Sequence, residues 1–178
     1  YFETSVWKHA KNRIVWLLIL MLSAAITGNI LAQYEAAFAV APLLVAFIPM
    51  IMGTGGNCGS QSSTLIIRGL ATDEIKLKDI FRVIWKEIRV AFIVGVALAI
   101  VNAIRVIVQY RDIQLAIVLG ITLIVTTLVS KVLGCVLPML AKRLKLDPAI
   151  MAAPLITTLV DVCSILVYFQ VATSIMGL

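Results

Sequence analysis

Charge is scarce in this sequence. Of 178 residues, 13% are charged and only nine are acidic, whereas an ordinary soluble domain carries about 25% charged residues. That shortage all but excludes a water-soluble globular enzyme. Histidine occurs once, as His9 in a basic flank, so no imidazole group is available inside the chain for acid–base or zinc chemistry. The three cysteines, Cys58, Cys135 and Cys163, lie within apolar stretches and show no CxxC spacing. This excludes a disulfide framework or a zinc ribbon and leaves them as small buried hydrophobes. No internal repeat is visible. The one glycine cluster is not followed by Gly-Lys-Ser/Thr, so it is not a phosphate loop.

Apolar residues fill the space instead. They make up 62% of the chain, and the mean hydropathy is +1.08. The net charge of +6 could suggest nucleic acid, but the bases cluster beside apolar runs. Clusters so placed are cytoplasmic flanks facing anionic lipid. With about 20 residues needed per crossing, five apolar segments span the bilayer, at about residues 14–33, 37–70, 90–108, 115–140 and 148–176. The expected fold class is an all-α integral membrane protein, since lone strands cannot satisfy their backbones in lipid and barrel alternation is absent. The first segment follows a basic stretch as a signal peptide would. It is too long at Ile14–Gln33 and lacks a cleavage site, so it reads as a true span.

Between spans two and three, residues 72–89 mix both signs of charge with Ile75, Leu77, Ile80, Val83, Ile84 and Ile88. That spacing predicts an amphipathic connecting helix at the interface. Orientation follows from twelve bases on one side (Lys8, Lys11 and Arg13; Arg68, Lys76, Lys78, Arg82, Lys86 and Arg89; Lys142, Arg143 and Lys145) against Arg105 and Arg111 on the other. The N-terminus is then cytoplasmic and the C-terminus outside. Asp147 and Pro148 form a cap and first turn for the fifth span, and Pro154 loosens it.

The acids locate the chemistry. All map to ends or loops except Asp161, which sits mid-span in Pro-Leu-Ile-Thr-Thr-Leu-Val-Asp-Val-Cys-Ser. A carboxylate at the bilayer centre costs about 2.5–3.5 kcal/mol on insertion scales, so it faces a cavity or a partner. It is either an ion or proton site or polar glue to another helix. Thr157, Thr158 and Ser164 fall within a turn of it. In span two, Gly53 to Thr64 puts four glycines into seven residues, a composition that serves either a cavity wall or a small-residue packing seam. If that segment is helical, Asn57, Ser60, Gln61 and Thr64 share one face, and Gly53 and Gly56 precede it at the same spacing. Lys131, the other mid-span charge, is either a snorkelling or structural lysine or a counter-ion to Asp161. An all-oxygen environment suits a hard cation, and two copies of Asp161 on a two-fold axis would balance a divalent charge.

The run Gly-Thr-Gly-Gly-Asn-Cys-Gly-Ser-Gln with Leu-Ile-Ile-Arg-Gly-Leu-Ala, and the fifth-span Pro-Leu-Ile-Thr-Thr-Leu-Val-Asp, resemble the two signatures of the MgtE magnesium channels and their eukaryotic carrier relatives. The approach to span one, from Ser5-Val6-Trp7 to Trp16-Leu17-Leu18, is similar as well. The resemblance implies that residues 1–178 form one transmembrane pore domain, with 1–13 as its cytoplasmic flank, in a multi-pass cell-membrane protein. It implies a homodimer with a Mg²⁺ pore on the two-fold axis, lined by spans two and five, and Mg²⁺ as both cargo and pore ligand. Asp161 would hold the hydrated ion at the central site. The carbonyls of Gly53 and Gly56, Thr64, and backbone groups at Thr157 and Ser164 would surround it. Ser60 stands where some members carry asparagine, and Ser164 where many carry glycine. Bacterial members carry cytoplasmic Mg²⁺-sensing domains, including a paired CBS module, ahead of span one, and the sequence holds none. The eukaryotic relatives suggest an alternative, a carrier exchanging Mg²⁺ or another divalent cation for Na⁺ or H⁺. Two-aspartate membrane proteases and metal-dependent lipid transferases need more mid-span acids than Asp161.

Overall fold

The computed structural model describes residues 5–35, 39, 41–145 and 148–177; within them, the side chains at 8, 9, 12, 13, 16 and 148–154 are outside the description. Among the described residues five long helices follow one another: α1 (Val6–Gln33), α2 (Leu43–Ala71), α3 (Ile80–Tyr110), α4 (Ile113–Arg143) and α5 (Pro148–Met176). No strand occurs among the described residues. α2, α3 together with the turn before it, α4, and Leu155–Met176 of α5 are long and apolar enough to cross a membrane, and the described apolar run of α1, Leu17–Gln33, is shorter. The helices outrun their apolar stretches. At 31 residues, α3 and α4 each extend about 46 Å, beyond a hydrocarbon core of about 30 Å.

The expected connecting helix over 72–89 is not a separate element. Thr72 closes α2 by donating its N–H to the Arg68 carbonyl, and Asp73 takes a left-handed φ of 57°. Ile75 then folds back, its N–H on the Gly69 carbonyl at 2.9 Å. A single 3₁₀ turn, Leu77–Asp79, leads into α3, and the Asp79 carboxylate accepts the Lys76 N–H at 3.0 Å. Between Ile80 and Phe92 no glycine, proline or cap residue interrupts the pattern, so the amphipathic segment and the third apolar run fuse into one helix.

α3 and α4 form a tight hairpin. Arg111 takes φ 54°, and Asp112 caps α4 by accepting the Leu115 N–H at 2.9 Å. α4 lies centrally against α2, α3 and α5, and α1 leans mainly on α5. The residues facing outward on α3, including Phe92, Ile93, Ile100, Val101, Ile104 and Val108, are large and apolar, as a lipid-facing surface requires. At the end near the hairpin turn, Leu44, Phe47 and Ile51 of α2 pack with Val106, Leu115, Leu119, Ile165, Tyr168 and Phe169. There the Tyr168 hydroxyl donates to the Leu44 carbonyl at 2.9 Å, which satisfies a buried polar group and fixes the height of α5 against α2. Asp147 lies outside the described residues. α5 begins at Pro148 and continues past Pro154 as one helix.

Candidate functional site

α2 stays helical through its glycine run and is not broken there. The glycines divide between two faces. A Cβ on Gly55 would come within 2.8 Å of Ser164 Oγ and of Val160, and within 2.9 Å of Thr126. A Cβ on Gly59 would lie 2.7 Å from Ile156 and 3.3 Å from the Ser130 carbonyl, and one on Gly134 of α4 would collide with the Gly59 carbonyl. Gly55 and Gly59 therefore admit the side chains of α5 against the α2 backbone, and Gly59 and Gly134 bring α2 and α4 backbone to backbone, the close approach that small residues permit in membranes. Gly53 and Gly56 have nothing within 4 Å of a would-be Cβ and face open space. Packed and open glycines are thus interleaved along one helix.

The open face continues through Asn57, Ser60, Gln61 and Thr64, which with Leu65 line a cleft of about 620 Å³. Their shared face is the one that i, i+3, i+4, i+7 spacing demands. The Thr64 hydroxyl donates to the Ser60 carbonyl at 2.9 Å. With its proton so committed, the oxygen turns lone pairs outward as an acceptor, the polarity that a cation or its water shell needs.

Leu44 meets Tyr168, Gly55 meets Val160 and Ser164, and Gly59 meets Ile156 and Val160. α2 and α5 are thus antiparallel, and Asp161 stands at the height of Gly55 and Gly56. Asp161 is half-buried, and Thr157, one turn away, is exposed. Both flank the packed stripe of Ile156, Val160 and Ser164. No hydrogen bond or salt bridge reaches the Asp161 carboxylate among the described residues. Ser164 is in a different position. It is buried, 2% exposed, with its hydroxyl against Gly55, so its side chain belongs to the seam and not to the open face. Asp161 does not itself line the cleft of Asn57 and Thr64. Among the described residues no three His, Cys, Asp or Glu side chains converge on a common point.

Lys131 is not the counter-ion of Asp161. Its Nζ lies 3.6 Å from Glu87 Oε2, the two side chains being 5% and 13% exposed. Ser62 joins them, its hydroxyl donating to Glu87 at 2.7 Å and receiving Lys131 Nζ at 3.2 Å. Sequence reasoning placed Glu87 in a connecting segment and missed this pairing. The pairing follows from packing: the α3–α4 hairpin sets Gly95 against Ile124 and Thr127, and continuing that antiparallel register by two turns brings Glu87 to Lys131. With this pair neutralised, Asp161 is left as the mid-helix acid without a basic partner among the described residues.

Among the described residues, long apolar helices hold their buried charges as one matched pair and one unmatched carboxylate beside an open strip of amide and hydroxyl groups, the arrangement of a multi-pass membrane protein. A family profile described as MgtE, divalent cation transporter, matches residues 48–171, and the chain belongs to that family. It is similar to the magnesium transporter MgtE of Bacillus subtilis, 36% identical over 173 residues, 97% of this chain and 38% of the relative. It is also similar to the proteins of that name from Thermus thermophilus, 38% identical over 160 residues, 90% of this chain and 35% of the relative, and from Enterococcus faecalis, 33% identical over 169 residues, 95% of this chain and 37% of the relative. The chain thus spans a little over a third of the length of the curated relatives it matches.

Proposed function

We propose that this chain is the membrane pore of a Mg²⁺ transporter, in which a hydrated Mg²⁺ passes Asp161 at the axis of a homodimer. The observation that carries the reading is the half-buried, unmatched Asp161 carboxylate held at the level of Gly55 and Gly56 beside the open face of α2. One carboxylate offsets half of a divalent charge, and a two-fold axis supplies the second copy. Mg²⁺ dehydrates reluctantly and keeps several waters, so it suits a site of one carboxylate per subunit with acceptor oxygens set back to meet the water shell. Asp161 supplies the charge. The backbone carbonyls of Gly53 and Gly56, with Asn57, Ser60, Thr64 and Thr157, contribute acceptors and amide groups around the water shell. Ser164 acts by holding α5 against Gly55.

All five helices cross the bilayer in this reading, with the base-rich end cytoplasmic. The names of the three bacterial relatives support Mg²⁺ as the cargo. The test is Mg²⁺ uptake into vesicles containing the reconstituted protein, with and without an imposed Na⁺ or H⁺ gradient. Uptake that follows the Mg²⁺ gradient and membrane voltage alone supports a channel. Uptake that requires the second gradient makes the protein an exchanger and overturns the channel mechanism. No Mg²⁺ uptake under any gradient overturns the assignment.

A further inference from the structure

A second cavity lies away from Asp161. It measures about 780 Å³ and lies between the C-terminal turns of α2, the Thr72–Asp79 connection and the first turns of α3. Arg68, Arg82, Lys86 and Arg89 line it, together with Glu74, Asp79 and Glu87 and the apolar Leu65, Ile66, Val83 and Trp85. The four bases form no salt bridge among the described residues. The acids do not balance them, because Glu87 is matched by Lys131 behind the wall, which leaves Glu74 and Asp79 against four bases. The cavity therefore carries a surplus of uncompensated positive charge. Lys142 adds to it nearby, its Nζ on the Leu70 carbonyl at 2.6 Å.

Its apolar surroundings narrow the occupant. Phe81 is 84% and Trp85 62% exposed, on the same turns of α3 that carry Arg82, Lys86 and Arg89. Arg89 lies nine residues along the helix from Ile80, about 14 Å, so the bases extend inward to where the outward face turns apolar at Phe92 and Ile93. A soluble anion would use the bases and leave Phe81 and Trp85 in water. An amphiphile uses both, with its phosphate among the guanidinium groups and its acyl chains against the aromatic and aliphatic side chains. Arg82 and Arg89, with forked donors, match a phosphodiester.

We propose that this cavity is a binding site for the headgroup of an anionic phospholipid, seated between the end of α2 and the start of α3. The bound phosphate offsets part of the surplus charge of Arg68, Arg82, Lys86 and Arg89 and ties α3 to α2 at the base-rich edge of the membrane.

Native mass spectrometry of the purified protein tests this, with phosphatidylglycerol, phosphatidylcholine and inorganic phosphate as separate probes. Phosphatidylglycerol should be retained over phosphatidylcholine. That preference should fall about fivefold for each base removed in Arg82→Gln, Lys86→Gln and Arg89→Gln, and stay unchanged in Arg111→Gln at the opposite end. The substituted bases are exposed, so the variants keep the fold, and a circular dichroism melt confirms this. A preference untouched in the triple variant overturns the proposal. So does an equal loss in Arg111→Gln, which reports bulk charge, or displacement of the lipid by inorganic phosphate, which assigns the cavity to a free anion.

Discussion

Lys131 Nζ of α4 and Glu87 Oε2 of α3 stand 3.6 Å apart in the interior, bridged by the Ser62 hydroxyl of α2. Three helices are thus joined at one polar point within an apolar bundle. A buried pair adds little net stability over a hydrophobic substitute, but removing one partner strands the other charge. Lys131→Met should therefore destabilise the protein by about 3–5 kcal/mol, and the double variant Lys131→Met, Glu87→Gln should recover most of that loss. Thermal unfolding in detergent of both single variants and the double reads the coupling. Additive losses would show that the two side chains act independently.

Asp161→Asn should reduce Mg²⁺ uptake to background and leave the melting temperature within a few degrees of the parent. Asparagine keeps the volume and removes the charge, and no partner among the described residues is left stranded by the change. Uptake and melting measured on one preparation decide the point. Full uptake in this variant would reduce Asp161 to a structural role.

The four glycines of α2 from Gly53 to Gly59 should separate into two classes. Gly55→Ala and Gly59→Ala drive a methyl into Val160, Ser164 or Ile156 and should cost about 1–3 kcal/mol through overpacking. Gly53→Ala and Gly56→Ala meet nothing within 4 Å and should gain about 0.8–1.0 kcal/mol in helix propensity, while uptake falls because the methyl narrows the open face. Melting temperature sorts the pairs in opposite directions, and loss of stability at Gly53 or Gly56 would refute the division.

Lengthening the central acid tests recognition through the water shell. In Asp161→Glu the charge is kept but each carboxylate advances by about 1.5 Å, and a two-fold axis doubles the shift. Less room for water penalises Mg²⁺ more than Ca²⁺ or Mn²⁺, because Mg²⁺ dehydrates most reluctantly. Competition uptake should show Mg²⁺ losing ground to both, and an unchanged preference would make charge alone the selective element.

Much of this was readable in the sequence where the cause is local. Apolar length foretells the long helices. Helical spacing alone puts Asn57, Ser60, Gln61 and Thr64 on one face, and the isolation of Asp161 among apolar neighbours marks it without coordinates. The rest depends on how one helix meets another. Nothing in Gly53-Thr54-Gly55-Gly56 says which glycine faces α5, because the seam is decided by the register of Val160 and Ser164 opposite. Ser164 follows Asp161 by one turn and shares its polarity, yet packing against Gly55 removes its side chain from the open face. Glu87 reads as a surface acid because its partner is 44 residues away in the chain. The fused α3 was missed because charge marks where water begins, and a helix does not stop there without a breaker.

The interleaving of Gly53 and Gly56 with Gly55 and Gly59 makes the length of this stretch as constrained as its composition. Each residue advances an α-helix by about 100°, so packed and open positions alternate within a single step. One residue inserted after Met52 would turn every later position by that angle. The side chains that now face the cleft would rotate toward Ile156 and Val160, and the glycines that admit α5 would rotate away. A deletion would do the same in the other sense. Between Ile51 and Thr64 the residue count therefore fixes which groups reach the cleft as firmly as residue type does, even at positions where several residue types would fit.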